Sequence, residues 1–357
     1  MRIFVTHILP EHLVAKYGLS FAAYNFSRNL ISGGLFDKVY SVLPTFVHGD
    51  IKTFEGLVYS KVRNNKVLRC FAPMVENVAL FRMLPRKSVV WYYNCTILNA
   101  LLIILLMLFK PSVKQYMIIL DYTPGFDVKG RFFLWLTNKM DGTIRLADSP
   151  LFTVKNSICL PGVVPLQVAE YPKVERISPD FLISGVLGEN IAMLSMLLEA
   201  FSIMPELRLH ITGKAPNEKQ ISQFTKRYPN IIFHGMVAYE EYLRILHSCP
   251  FQLSTRNPQM PENQCNFPSK IIEALLHNRI IVSTIHYPQL EGMHYFEVAT
   301  DTKTFAEDIK RIANMDKGVL LKYANQGEEV KRRFNTDIWC DAMCKIELKQ
   351  MERDIVG

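Results

Sequence analysis

From Arg2 onward the chain alternates short apolar runs of strand length with longer segments of helical period, and the alternation continues almost to the end. Runs of this kind suit strands buried on both faces, joined by crossover helices, rather than hairpins with one wet face. Residues 2–8 read as a first strand, and residues 18–30 as a helix entered through Gly18 and Leu19 and closed by Gly33-Gly34. Residues 37–43 read as a second strand. Further on, 57–60, 88–93, 115–120, 143–146 and 157–160 read as strands, with helices at 72–84, 96–109 and 129–140. Such a pattern predicts an α/β fold with a doubly wound parallel sheet. No GxGxxG follows the first strand, so a dinucleotide-binding fingerprint is not expected.

The pattern restarts at Phe181, after a polar, proline-bearing stretch at 169–179 that reads as a linker. Strands are expected at 181–187, 207–213, 230–235, 250–254, 280–284 and 296–299. Helices are expected at 190–204, 219–228, 240–247, 269–276 and 303–314, with one or two amphipathic helices in the tail. At 357 residues the chain is too long for one ordinary core. The expected division is residues 1–165, residues 166–330, and a C-terminal helix at 331–357 packing back on the first domain.

The most informative local stretch is Asn266-Phe267-Pro268-Ser269-Lys270-Ile271-Ile272-Glu273-Ala274-Leu275-Leu276. Pro268 suits a helix entry and Ser269 suits an N-cap. Ile271, Ile272, Leu275 and Leu276 form a core-facing stripe. Lys270 and Glu273 then share the first turn, where free N–H groups and the helix dipole favour a phosphate. The lysine adds a full charge, and the carboxylate can accept sugar hydroxyls. The same residues also fit a well-capped helix carrying one solvated ion pair.

The net charge is +8, and it is unevenly spread. Residues 1–170 hold 19 Lys/Arg against 10 Asp/Glu, while residues 171–357 hold 22 against 23. A basic first half predicts an anionic partner, and dispersed cations without a recognisable module favour a membrane surface over nucleic acid. The apolar run 96–109 is too short to span a bilayer, for which about 20 residues are needed. It reads as a buried helix or, since Arg82, Arg86 and Lys87 precede it and Lys110 and Lys114 follow it, as a helix lying on a membrane. The seven cysteines are odd in number and lack CxxC spacing, which argues for a reducing, cytoplasmic setting and against a zinc site. The N-terminus opens directly into a strand, so no signal peptide is expected.

The ordered landmarks of the second half resemble the GT-B glycosyltransferases, specifically the family 4 type. These landmarks are Gly185-Val186-Leu187-Gly188-Glu189, Leu198-Glu199-Ala200-Phe201, the run from Leu207 to Gly213, Ile232-Phe233-His234-Gly235, Phe267-Pro268-Ser269-Lys270-Ile271-Ile272-Glu273, and Ile280-Ile281-Val282-Ser283-Thr284. The resemblance implies two Rossmann-like domains facing across a cleft, and a retaining, nucleotide-sugar-dependent transfer in bacterial surface polysaccharide assembly. It implies a glycan or lipid-linked acceptor and neither metal nor other cofactor. In that family two glutamates stand with seven residues between them. Glu273 matches the one that holds the donor ribose; the other falls on Cys265, leaving Cys265 or Glu262 to stand for it. The family's diphosphate-binding arginine and lysine fall on Val186 and on Glu189 to Asn190, so Lys270 is the replacement candidate.

The resemblance also implies donor contacts at Gly18, Gly185, Gly213, His234, Gly235, Arg256, Phe267 and Ser269. On the acceptor side, the carboxyl ends of the first-half strands bring in His7, Asn94 and Tyr122, with Asp121 placed to take a hydroxyl proton. His7 also fits a structural histidine, Asp121 a cap and Arg256 a solvated loop residue. Two readings of other classes share the architecture: a nucleotide-sugar epimerase, and a nucleotide-sugar-binding protein without catalysis.

Overall fold

A computed structural model describes residues 1–9, 11–17, 21–48, 56–120, 122, 127–165, 170–216 and 218–356. The chain divides into two compact units, Met1–Gln167 with Phe334–Gly357, and Val168–Arg333. Each is built on a six-stranded sheet in which every pairing is parallel, as the buried apolar runs require.

The strands of the first unit are β1 (Arg2–Thr6), β2 (Lys38–Ser41), β3 (Val89–Tyr93), β4 (Lys114–Ile119), β5 (Gly142–Arg145) and β6 (Ser157–Cys159), in the order β2-β1-β3-β4-β5-β6. The strand expected at 57–60 is only a bridge from Leu57 to Ser41. The chain turns there because Arg63, in the 3-10 turn Lys61–Asn64, is drawn into the interior. Its guanidinium meets both carboxylate oxygens of Glu76 at 2.6 Å and donates to the carbonyls of Leu43, Pro44 and Val47 at 2.5–3.1 Å. Both side chains are 0% exposed, and so complete a set of partners is what makes a buried ion pair tolerable.

Ile3, Val5, Val90, Tyr92, Met117 and Ile119 face one side of this sheet and pack with the helices Ala72–Met83, Ala100–Phe109 and Val128–Thr137. The second of these starts at Ala100 rather than Thr96. Buried Asn99 bonds the Thr96 amide and the Asn94 carbonyl at 2.9 and 2.8 Å, which holds the intervening residues in a turn. Leu102, Ile103 and Leu106 of this helix are core residues, whereas Leu108 and Phe109 are exposed.

The other side of the sheet carries the helices Phe21–Ser32 and Thr336–Val356. Buried Trp339 packs edge-on to Phe26 at 5.4 Å and donates its indole N–H to the Gly162 carbonyl at 2.7 Å. Glu347 accepts Arg2 at 2.9 and 2.8 Å and the Trp91 indole at 2.8 Å. A Cβ at position 142 would stand 2.3 Å from Ile346 Cγ2, so the approach of this helix to β5 needs Gly142. The last helix is therefore part of the first unit's core.

The second unit contains β7 (Asp180–Val186), β8 (Arg208–Lys214), β9 (Ile231–Gly235), β10 (Phe251–Ser254), β11 (Ile280–Ser283) and β12 (Phe296–Glu297). Their order, β12-β11-β10-β7-β8-β9, reverses direction between β7 and β10, which is the doubly wound arrangement. Phe181, Ile183, Leu209, Ile211, Phe251, Leu253, Ile280 and Val282 alternate onto one face and pack with Leu197, Phe201, Phe305 and Ile309. The helix expected at 190–204 is broken in two, Glu189–Ala192 and Leu194–Ser202, with Met193 left-handed at φ 45°. The break has a cause in competing hydrogen bonds. The Asn190 carbonyl accepts from Asn257 N and Asn263 Nδ2, and the Ala192 carbonyl from Thr255 Oγ1 at 2.6 Å.

Candidate functional site

The carboxyl ends of β7 and β10 flank the point where the winding reverses, the usual place for a ligand in such a sheet. Three adjacent strands there carry glycines at positive φ: Gly185 of β7 (113°), Gly213 of β8 (129°) and Gly235 of β9 (68°). A Cβ on Gly213 would sit 2.0 Å from the Gly185 carbonyl oxygen, so this close pairing excludes a side chain. The result is a rim of bare backbone beside the switch point.

The helix Ser269–Leu276 starts beside this rim. The sequence places Ser269 at the N-cap, but Pro268 takes that position in extended conformation and no side-chain cap bond forms. Ser269 is instead the exposed first helical residue. Proline sets the φ of the cap, so the serine hydroxyl is displaced into the first turn. Lys270 runs over Gly185: a Cβ on that glycine would lie 3.0 Å from Lys270 Cε. Its ammonium stands 4.6 Å from the centroid of the Tyr242 ring, within cation–π range.

One turn on, Glu273 accepts the Tyr239 hydroxyl at 3.1 Å on Oε1 and the Tyr242 hydroxyl at 3.0 Å on Oε2. Burial, then the Glu273 charge, pushes both phenols well above the usual tyrosine range, so both stay protonated donors. A carboxylate offers about four acceptor positions, so two phenols leave it capacity for a ligand's hydroxyls. Tyr242 is thus bound to both charged residues, carrying Lys270 on its ring and Glu273 on its hydroxyl. The sequence reading missed both tyrosines. The available signal was their i, i+3 spacing on the helix Tyr239–Ser248 directly after the β9 glycine.

His234 turns its ring to the sheet. Its Nε2 lies 3.1 Å from His210 Nδ1, and His210 Nε2 lies 3.1 Å from Asp180 Oδ1. Arg208 holds Asp180 at 2.5 and 2.7 Å. Burial would raise the Asp180 pKa, but hydrogen bonds from Arg208, Ser178 and His210 outweigh it and hold the carboxyl at about 2. Burial, then the neighbouring His210, lowers His234, favouring the neutral ring.

Arg256 follows β10. Its amide donates to Thr284 Oγ1 at 2.7 Å, and its guanidinium donates to Asn263 Oδ1 at 3.3 Å. Asn263 in turn bonds the Asn190 carbonyl at 2.6 Å, so the loops after β7 and β10 are tied together. Phe267 is buried against Tyr287, ring centroids 5.1 Å apart. Cys265 and Glu262 share the short helix Pro261–Cys265, the first buried and the second half-buried. Glu189, at the family's cation position, accepts the Ser195 amide and hydroxyl at 3.1 and 2.7 Å.

In the first unit, His7, Asn94 and Tyr122 follow the carboxyl ends of β1, β3 and β4. Burial lowers the His7 pKa to about 4. Its Nδ1 lies 3.0 Å from the Val42 carbonyl, which fixes Nδ1–H as donor and leaves Nε2 to accept from Thr96 Oγ1 at 3.3 Å. Asn94, at φ 51°, accepts the Leu120 amide at 2.8 Å and so laces β3 to β4. Tyr122 packs edge-on to Phe152 at 4.9 Å. Gly18 and Asp121 lie outside the described residues. Among the described residues, no group of three or more His, Cys, Asp or Glu is placed to hold a metal ion.

No curated protein matches the sequence. Residues 178–315 match the family model Glycosyl transferases group 1. Among solved structures, the chain is similar to Anabaena Alr3699/HepE in complex with UDP, at 14% identity and TM-score 0.70 over 98% of this chain and 100% of that one. It is similar to the trehalose-6-phosphate synthase OtsA, at 9% identity and TM-score 0.63 over 99% and 98%. AviGT4, a glycosyltransferase involved in avilamycin A biosynthesis, matches at 15% identity and TM-score 0.57 over 100% and 98%. The chain therefore has the fold of the GT-B glycosyltransferases, as the resemblance implied, and residues 178–315 are similar to the Glycosyl transferases group 1 family.

Proposed function

We propose that the protein is a glycosyltransferase that moves a sugar from a nucleotide-sugar donor, a UDP-sugar by analogy with HepE, to a hydroxyl of a glycan or lipid-linked acceptor. The observation that carries this reading is the set of Lys270, Glu273 and bare glycine backbone at the β7 switch point. HepE was solved with UDP and glucose, and TarM with UDP and a glycosylated glycerol, which supports a UDP-sugar and a hydroxyl acceptor. In the transfer, the bond from anomeric carbon to phosphate oxygen breaks and a bond to the acceptor oxygen forms. The acceptor proton leaves with the departing diphosphate or through Asp121. Negative charge grows on the diphosphate as its bond breaks, so a cation already in place lowers the barrier. Lys270 and the amino end of its helix supply that charge, and Glu273 takes ribose hydroxyls. Retention and a role in surface polysaccharide assembly complete the reading by family analogy.

Calorimetric titration with UDP, for the wild type, Lys270→Ala and Glu273→Ala, tests it. Each change is expected to weaken binding by about 1–3 kcal/mol, the size of a hydrogen bond to a charged group. If no nucleoside diphosphate binds, or if binding ignores both changes, the reading fails. Buried Cys265 in place of the family's first glutamate favours one second reading, a nucleotide-sugar-binding protein without catalysis. Donor binding without turnover on any glycan or lipid-linked acceptor would establish that reading instead.

A further inference from the structure

The first unit's charge is confined to one segment. Residues 61–140 hold twelve Lys/Arg against three Asp/Glu, a net +9, while the rest of the chain sums to −1. Two of the three acids are engaged locally or lie in the interior. Glu76 is buried on Arg63, and Asp127 caps the helix Val128–Thr137 by accepting the Gly130 amide at 2.7 Å. The third, Asp121, lies outside the described residues. This segment contains the three helices that cover one face of the first sheet, Ala72–Met83, Ala100–Phe109 and Val128–Thr137.

Their inner sides form the core; their outer sides leave large apolar groups in water. Met83 is 58% exposed, Leu108 67%, Phe109 65% and Trp135 48%. Lys139 stands 6.0 Å from the centroid of the Trp135 ring, and Lys110 sits over Phe81 at 4.6 Å, which in turn packs edge-on to Phe109 at 6.3 Å. Along the first helix a groove of about 340 Å³ is lined by Met74, Val75, Val78, Ala79 and Arg82. Exposed Arg82, Arg86, Lys87, Lys129, Arg131 and Lys139 lie on or just beyond the first and third of these helices. Scattered single apolar residues need no explanation, but a clustered set on neighbouring helices does.

We propose that this three-helix face is a docking surface for an anionic lipid bilayer. Aromatic and aliphatic groups would enter the headgroup region while these cations meet lipid phosphates, the division of labour of interfacial helices. Among the described residues, no helix is long and apolar enough to cross a membrane. A second copy of the chain is a poor occupant, because a symmetric pair would press one +9 segment against another. A typical protein partner is also disfavoured, since interface cores are depleted in lysine. This inference uses only the first unit and does not depend on the function assigned to the second.

The test is co-sedimentation of the full chain with vesicles of phosphatidylcholine alone and with added phosphatidylglycerol. Binding is expected only to the anionic vesicles and is expected to weaken with salt. The exposed variants Arg86→Glu/Lys87→Glu and Phe109→Ser/Trp135→Ser are each expected to lose at least tenfold in vesicle affinity. The melting curve of each variant is measured alongside, so that misfolding is separated from lost docking. Equal binding to both vesicle types would overturn the proposal, as would no binding to either. Unchanged binding by both folded variants would also overturn it. So would a concentration-dependent dimer in light scattering that the same variants abolish.

Discussion

Tyr242 holds both charged residues of the candidate donor site, and removing one oxygen separates its two contacts. In Tyr242→Phe the ring stays, so the cation–π contact with Lys270 at 4.6 Å and the packing persist. What goes is the 3.0 Å bond to Glu273 Oε2. Hydrogen bonds to charged groups contribute about 1.5–3 kcal/mol. Glu273 is only half-buried and keeps Tyr239 at 3.1 Å, so water and the remaining phenol recover part of that loss. The expected cost to UDP binding therefore falls below that range, at about 1 kcal/mol or roughly fivefold in Kd. Tyr242→Leu removes the ring as well, and with it a cation–π contact of about 0.5–2 kcal/mol, so it should bind more weakly than the phenylalanine variant. The decisive assay is a double-mutant cycle by calorimetry. If the hydroxyl acts by orienting Glu273, Tyr242→Phe should change nothing once Glu273→Ala is present. Independent, additive losses would refute the argument. So would wild-type affinity in Tyr242→Phe beside a damaged Glu273→Ala.

Two further outcomes follow from buried charge. Glu76→Ala leaves the Arg63 guanidinium without its counterion in a fully buried site, and should destabilise the first unit by about 3–5 kcal/mol in a urea melt. His277 is buried, and burial, then the charges of His247 and Arg279, lowers its pKa to about 3. An unfolded histidine protonates near pH 6.5, so protons favour the unfolded chain below that value. Stability is then complete above about pH 6.5 and falls as the pH drops toward 3. His277→Gln should flatten that part of the urea-midpoint profile, and an unchanged slope would exclude His277 as its source.

Both sheets were legible because parallel strands buried on two faces write themselves as continuous apolar runs, and crossover helices separate them. Lys270 and Glu273 were legible for a similar reason: three residues on one helix fix their relation without any tertiary information. The failures occur where distant segments decide a local outcome. The break at Met193 is imposed by Thr255, Asn257 and Asn263, which take carbonyls that a continuous helix would use. The turn at 61–64 is imposed by Glu76, from a helix that follows it. Tyr239 and Tyr242 reach Glu273 from more than thirty positions away, across the strand β10, which the alternation places but does not register. A polar relay at Asp180, Arg208, His210 and His234 was half visible, since Arg208 and His210 alternate onto one face of β8. The same division explains the phosphate question. The family's cation positions at Val186 and Glu189 are read directly as losses, yet Glu189 has a structural task, fastening the amino end of the helix Leu194–Ser202 through Ser195. If Lys270 is the replacement for that charge, as we propose, its long side chain needs support to stay over Gly185, and the Tyr242 ring at 4.6 Å supplies it.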